Sequence, residues 1–260
     1  MKLVDAHIHL SDADYAGHIE ELIVDAKNAG VAALVTNSMD LKTCRSDLKL
    51  AEKYSGLVYA ALGIHPWNVN VLGEKELEQT IDLITTQRFM VRAIGEIGLD
   101  SKYETVWAKQ MMVFDKMLHL AETLELPVII HSRGTTEKII DLLPSYKLRR
   151  VLLHWFSYPL TALDKAMERG YLITEGPSAI YSSGIREVIA KAPLTQLLTE
   201  TDGPVSYYKP PFKGQLTKPS FIRNVVEAVA EIKKVDVDEV ARQIAENFQI
   251  FFNVKLGETC

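Results

Sequence analysis

Eight short apolar runs, rich in β-branched residues, recur along this chain at intervals of roughly 20 to 35 residues. They read KLVDAHI near the start, VAALVTNS from Val31, LVYAALGIH from Leu57, MVRAIGEIG from Met90, PVIIHS from Pro127, RVLLHWF from Arg150, YLITEG from Tyr171 and QLLTETD from Gln196. That spacing leaves room after each strand for a helix and a return loop. Helix-like stretches do lie between the runs, such as 18–29 ending at Gly30, and 105–124 with Met111, Phe114, Met117, Leu118 and Ala121 at helical spacing. Nearly continuous apolar strands suit a parallel sheet covered on both faces. Eight such units predict an α/β fold, a closed (β/α)8 TIM barrel rather than an open doubly wound sheet. No Gly-x-Gly-x-x-Gly follows the first run, which removes the usual dinucleotide signature. After the eighth run comes a loop, YYKPPFKGQLTKP, and then two amphipathic helices are predicted over 220–232 and 236–252, the second with Val240, Ile244, Phe248 and Phe251 on one stripe.

The 260 residues are accommodated as a single barrel domain, 1–260, closed by these C-terminal helices. With 47% hydrophobic and 24% charged residues, disorder and fibrous classes are excluded. Lys and Arg total 29 against 34 acids, a net charge of −5, so any polyanion is held locally and not by a broad basic surface. The two cysteines, Cys44 and Cys260, are too far apart in sequence to suggest a disulfide framework or a cysteine metal cluster. The start, MKLVDAHIHL, has no apolar targeting core, and the longest charge-free stretch, 54–73, is broken by His65, Pro66, Asn68 and Asn70. A cytoplasmic location with no membrane partner is expected, and no obligatory protein partner is indicated.

Polar residues stand at the C-terminal ends of the runs: His7 and His9, then His65, Glu96, His131, His154 and Asp202. A barrel gathers all strand C-termini on one face, so these residues, from six strands, should converge. His7 and His9, two apart on a strand, share a face, a metal-ligand spacing. Asp5 shares it too and is expected to orient an imidazole from behind. His18 and His119 fall in helical stretches and receive no role. One buried histidine is ordinarily a satisfied core residue, and one strand-end acid is often a helix cap. Several imidazoles and two carboxylates buried together without a cation would leave costly unpaired polar groups, so the set reads as a site for two divalent ions bridged by a central carboxylate. Imidazole-rich ligation suits Zn or Mn, and phosphodiester chemistry often uses Mg.

Weaker signals surround this set. No Gly-x-Ser-x-Gly elbow is present, so Ser132 is a poor nucleophile candidate. Trp67, Tyr103, Trp155, Phe156, Tyr158, Tyr207, Tyr208 and Phe212 lie just beyond strand ends, where aromatics stack on bases or fill the barrel mouth. Lys209, Lys213, Lys218 and Arg223, in or after the last barrel loop, are candidate substrate-binding residues that would meet phosphates.

Taken in order, VDAHIHL, LGIHPW, AIGEIGLD, PVIIHSR, LLHWFS and TETDGP resemble the TatD family of metal-dependent hydrolases within the amidohydrolase-like barrels. The resemblance implies that His7, His9 and Asp202 hold one ion, that His131 and His154 hold the other, and that Glu96 spans both. It makes His65 a phosphate-facing residue, and Asp202, Glu96 and His65 the catalytic set. It also implies deoxyribonuclease activity at DNA ends, with single-stranded or end-accessible DNA as the partner. Two departures fall in substrate-contact regions. Ser101 and Lys102 precede Tyr103 where the family tends to place an aromatic directly after GLD, and FKGQLTKP replaces an Arg-Gly-Lys segment with a following Asn and Pro.

Two rivals remain at this level. A small-molecule amidohydrolase or phosphoesterase would use almost the same binuclear ligands, although many carry a carboxylated lysine where this chain has Glu96. A silent, metal-stabilised scaffold would typically have lost a ligand, and none is missing.

Overall fold

The computed structural model describes residues 1–157 and 159–257, so Tyr158 and Cys260 lie outside the described residues. Eight strands alternate with helices: β1 (Leu3–Ile8), α1 (Ile19–Ala29), β2 (Val31–Asn37), α2 (Leu41–Lys53), β3 (Val58–Leu62), α3 (Glu74–Thr86), β4 (Val91–Gly98), α4 (Trp107–Leu124), β5 (Val128–His131), α5 (Thr136–Leu142), β6 (Val151–Leu153), α6 (Leu160–Glu168), β7 (Leu172–Glu175), α7 (Ser183–Lys191) and β8 (Leu197–Thr199). Two further helices, α8 (Ile222–Lys233) and α9 (Val237–Phe252), complete the chain. Each strand pairs in parallel with the next, in the order β1 to β8. This is the (β/α)8 barrel that the eight apolar runs predict, and each run holds one strand.

The strands are short and buried almost end to end because helices cover their outer faces while side chains fill the interior. Local chemistry sets the helix ends. Gly30 closes α1 in the left-handed conformation at φ 81°. Asp40 caps α2, its carboxylate accepting from Thr43 N while the Thr43 hydroxyl accepts from Asp40 N, a reciprocal capping box. In α9 the predicted stripe of Val240, Ile244, Phe248 and Phe251 is fully buried against the barrel. No described helix is long and apolar enough to cross a membrane.

The seam between β8 and β1 positions half the site. Thr199 Oγ1 donates to Val4 O at 2.8 Å, Asp202 N to His7 O at 2.9 Å and His9 N to Gly203 O at 2.7 Å. The Asp5 carboxylate accepts from Thr201 N at 3.0 Å, Thr201 Oγ1 at 2.5 Å and His7 N at 3.2 Å. This corrects the expectation for Asp5: it faces no imidazole, because three donors on the seam's backbone and hydroxyl groups claim its oxygens first. Burial pushes its pKa up to about 8.

Candidate metal and hydrolytic centre

Glu96, near the end of β4, is 1% exposed and its two oxygens face different halves of the barrel mouth. Oε2 lies 3.2 Å from His7 Nε2 and 3.3 Å from His9 Nε2. Oε1 lies 3.0 Å from His131 Nδ1 and 2.8 Å from His154 Nε2. Asp202 Oδ1 joins the first half, 3.5 Å from His7 Nε2 and 3.6 Å from His9 Nε2. The site-facing atoms form three overlapping groups, each within 4.8 Å: His7, His154 and Asp202; His7, His9 and Glu96; and His65, Glu96 and His131. All six expected ligands and His65 are therefore brought together.

Two glycines make this approach possible. A Cβ at Gly98 would fall 2.0 Å from His131 O, so only glycine lets the end of β4 lie this close to β5. A Cβ at Gly203 would fall 1.9 Å from the Tyr15 hydroxyl, so only glycine fits directly after Asp202, itself left-handed at φ 47°.

Which ring nitrogen carries the proton is decided by the partner of the nitrogen that faces away. His9 Nδ1 is 2.8 Å from Asn37 O and His131 Nε2 is 3.0 Å from Asp100 Oδ2. Both partners only accept, so the outer nitrogens hold the hydrogens and the site-facing ones offer lone pairs. In His65 the relation is reversed, since Trp67 N donates to Nδ1 at 3.1 Å. His65 Nε2, 3.1 Å from Glu96 Oε1, therefore carries the hydrogen and acts as a donor. Proximity groups His65 with Glu96 and His131, but its tautomer separates it from the ligands.

The electrostatics follow from this crowding. Burial raises the Glu96 pKa, but the imidazoles, His65 foremost, hold it well below the usual carboxylate range. Burial likewise works against a charged His154, yet Glu96 and Glu200 raise it well above the ordinary histidine value. Burial pushes His65 down to about 4, keeping it neutral.

The donor set fits divalent cations. His7 Nε2 and His9 Nε2 approach to 3.2 Å, and His131 Nδ1 and His154 Nε2 to 3.3 Å; facing ring nitrogens this close cannot both carry hydrogens, and a divalent cation would take the place of those hydrogens. Glu96 presents one oxygen to each half.

Asp100 and Glu200 received no role from the sequence. Asp100 is fully buried and accepts from His131 Nε2, Trp67 Nε1 at 2.7 Å and Lys102 N at 2.8 Å. Glu200 Oε2 accepts from Thr174 Oγ1 at 2.5 Å and stands 3.6 Å from His154 Nδ1. Glu200 precedes Asp202 by two residues, the same alternation that singled out His7 and His9. Asp100 lies four residues after Glu96, a strand-end carboxylate like the others.

The basic candidates do not act as one group. Lys209 and Lys213 are exposed on the loop after β8, with Lys209 Nζ 5.3 Å from the Tyr181 ring centroid. Lys218 is paired with Asp25 of α1 at 3.3 Å. Arg223 donates to Ala29 O at 3.0 Å, at the end of α1 that leads into β2 and lies by the strand N-termini, opposite the site. Both side chains are thus engaged by groups of α1. His119 is exposed on α4, and His18 is exposed at the turn that leads into α1, one residue before the helix, which the sequence predicts from 18.

Residues 4–253 match the family model described as TatD related DNase. The chain belongs to the TatD family. Among TatD relatives, a metal-dependent hydrolase of Methanocaldococcus jannaschii is 33% identical over 98% of this chain and 99% of that protein. The human protein named deoxyribonuclease TATDN3 is 30% identical over 94% of this chain and 92% of its own. The crystal structure of YjjV, a TatD homologue from Escherichia coli, superposes with a TM-score of 0.91 at 33% identity, covering 97% of this chain and 98% of that one. This TatD chain is thus an enzyme of a metal-dependent hydrolase family, and its buried imidazoles and carboxylates sit where the barrel architecture builds active sites.

Proposed function

We propose that this protein is a TatD-type deoxyribonuclease that hydrolyses a phosphodiester at a single-stranded or otherwise accessible DNA end, using two divalent ions, Mg, Zn or Mn. His7, His9 and Asp202 would hold one, His131 and His154 the other, with Glu96 across both. The division of the Glu96 oxygens between two histidine pairs carries this reading. The name of the human relative supports the choice of DNA.

Ions bound there supply an acidified water and neutralise charge on the phosphoryl oxygens. Asp202, buried beside His7 and His9, accepts the water's proton on its carboxylate and returns it to the leaving oxygen. His65 Nε2–H, fixed as a donor by Trp67 N, hydrogen-bonds a non-bridging phosphate oxygen. Glu96 remains ionised and keeps the two halves in register. Cations held by these residues would also reconcile a net charge of −5 with a polyanionic substrate, by dominating the field at the mouth.

The test is metal-stripped protein assayed on end-labelled oligonucleotides and on model carboxylic and phosphate esters, with Mg, Mn and Zn restored singly. Metal-dependent release of nucleotides from oligonucleotide ends is expected. Hydrolysis confined to small esters or lactones would transfer the protein to the small-molecule class.

A further inference from the structure

The aromatic side chains at the barrel mouth fall into two sets. Tyr207, Phe212 and Phe221 are buried and pack with Trp155, Ile180 and Tyr181, so they fill space under the loop after β8. Trp67 and Tyr103 belong to neither hydrophobic cluster. Their rings are stacked, with centroids 4.9 Å apart and planes 18° apart, yet Trp67 is 36% exposed and Tyr103 44%.

The pair is held by polar contacts. Trp67 Nε1 donates to Asp100 Oδ2, the same oxygen that receives His131 Nε2–H. The pinned indole stands edge-on to His65 and His131, with centroids 4.8 and 5.9 Å away. Lys102 N, bonded to Asp100 Oδ1, turns the chain so that Tyr103 reaches the indole. Tyr103 is stacked on Trp67 and still partly exposed, so the indole stands between it and the histidines of the hydrolytic centre. Arg133, 56% exposed with its guanidinium 3.9 Å from Asp100, adds a cation to the same rim. A rigid π-face, a cation and a phosphodiester-cleaving centre in sequence fit a planar base joined to phosphate.

Resting on the nuclease reading above, we propose that Tyr103, backed by Trp67, is a stacking platform for an unpaired nucleobase flanking the cleaved phosphodiester. A base within a duplex already has both faces covered and cannot reach this platform without unpairing. The site therefore selects single-stranded or frayed DNA, and it does so through base stacking, not sequence readout.

The test uses wild type, Tyr103→Ala and Tyr103→Phe with Mg. Binding is followed by anisotropy of a labelled, phosphorothioate-linked single-stranded oligonucleotide, and stacking by quenching of 2-aminopurine placed beside the cleaved linkage. Wild type and Tyr103→Phe should quench the probe. Tyr103→Ala should lose the quenching and bind about tenfold or more weakly, the scale of one base–aromatic stack. An abasic residue at the probe position should weaken wild-type binding by a similar factor and erase the difference between wild type and Tyr103→Ala. Equal affinity and equal quenching in wild type and Tyr103→Ala, with cleavage intact, would overturn the platform and leave the nuclease reading standing. Loss in Tyr103→Phe equal to that in Tyr103→Ala would overturn it too, by assigning the effect to the hydroxyl. A wild type that neither binds nor cleaves any oligonucleotide would remove the nuclease reading, and the platform with it.

Discussion

Replacing Asp100 with Asn should weaken cation binding on the His131–His154 side while leaving the fold in place. Asp100 touches no other member of the expected ligand set but His131, whose Nε2–H it receives at 3.0 Å. That bond fixes the tautomer that turns the Nδ1 lone pair toward Glu96 and His154. The carboxylate also receives Trp67 Nε1–H and Lys102 N–H, and these donors together hold its pKa far below the usual carboxylate range despite burial. A hydrogen bond to a charged partner contributes about 1.5–3 kcal/mol and a neutral one about 0.5–1.5 kcal/mol. Asn keeps a carbonyl acceptor and loses the charge, so the His131 contact should weaken by about 1–1.5 kcal/mol, close to a factor of ten in affinity. Losses of this kind behind metal-binding histidines run about 10–100-fold, so a fall of roughly 10- to 30-fold is expected. The assay is calorimetric titration of stripped wild type and Asp100→Asn with Zn or Mn, with far-UV circular dichroism and melting to verify folding. One of two binding steps should weaken and the other should hold. Identical isotherms in a folded variant would refute the claim that Asp100 sets the ligating form of His131.

Two further outcomes can be checked independently. Burial raises Asp47 to about 7 from 3.8, so its neutral form is favoured by folding; the stability this brings is complete below about pH 4 and lost as pH rises through 7, up to about 4 kcal/mol. Asp47→Asn should therefore match wild type near pH 4 and resist urea better at pH 8, and parallel pH profiles for the two proteins would refute this. Lys209→Glu with Lys213→Glu should lower oligonucleotide affinity and flatten its salt dependence by up to about 1.4 in log–log slope, two phosphates on a single strand, whereas Lys218→Glu with Arg223→Glu should leave that slope unchanged.

The fold was legible because strands buried on both sides must be apolar throughout, and eight such runs leave one closed arrangement. The ligands were legible because strand ends meet on one face, so His7, His9, Glu96, His131, His154 and Asp202 could be gathered without a structure. What escaped depends on where side-chain atoms reach. Alternation placed Asp5 behind His7, but its carboxylate turns across the seam to Thr201. The partners that Lys218 and Arg223 find on α1, Asp25 and the Ala29 carbonyl, are remote in sequence and could not be read from position in the last loop. The role of Asp100 depends on Trp67 and His131, about thirty residues away on either side.

The hydrogen that makes His65 a donor comes from the main chain at position 67, not from the indole. Drift in the side chain there would alter the rim and leave the proton on Nε2, because every residue except proline brings the same amide. Recruiting His65 as another ligand would thus require remodelling the turn that follows β3. Selection can vary what this enzyme grips at its edge far more freely than it can change how the centre divides its histidines between holding ions and donating to substrate.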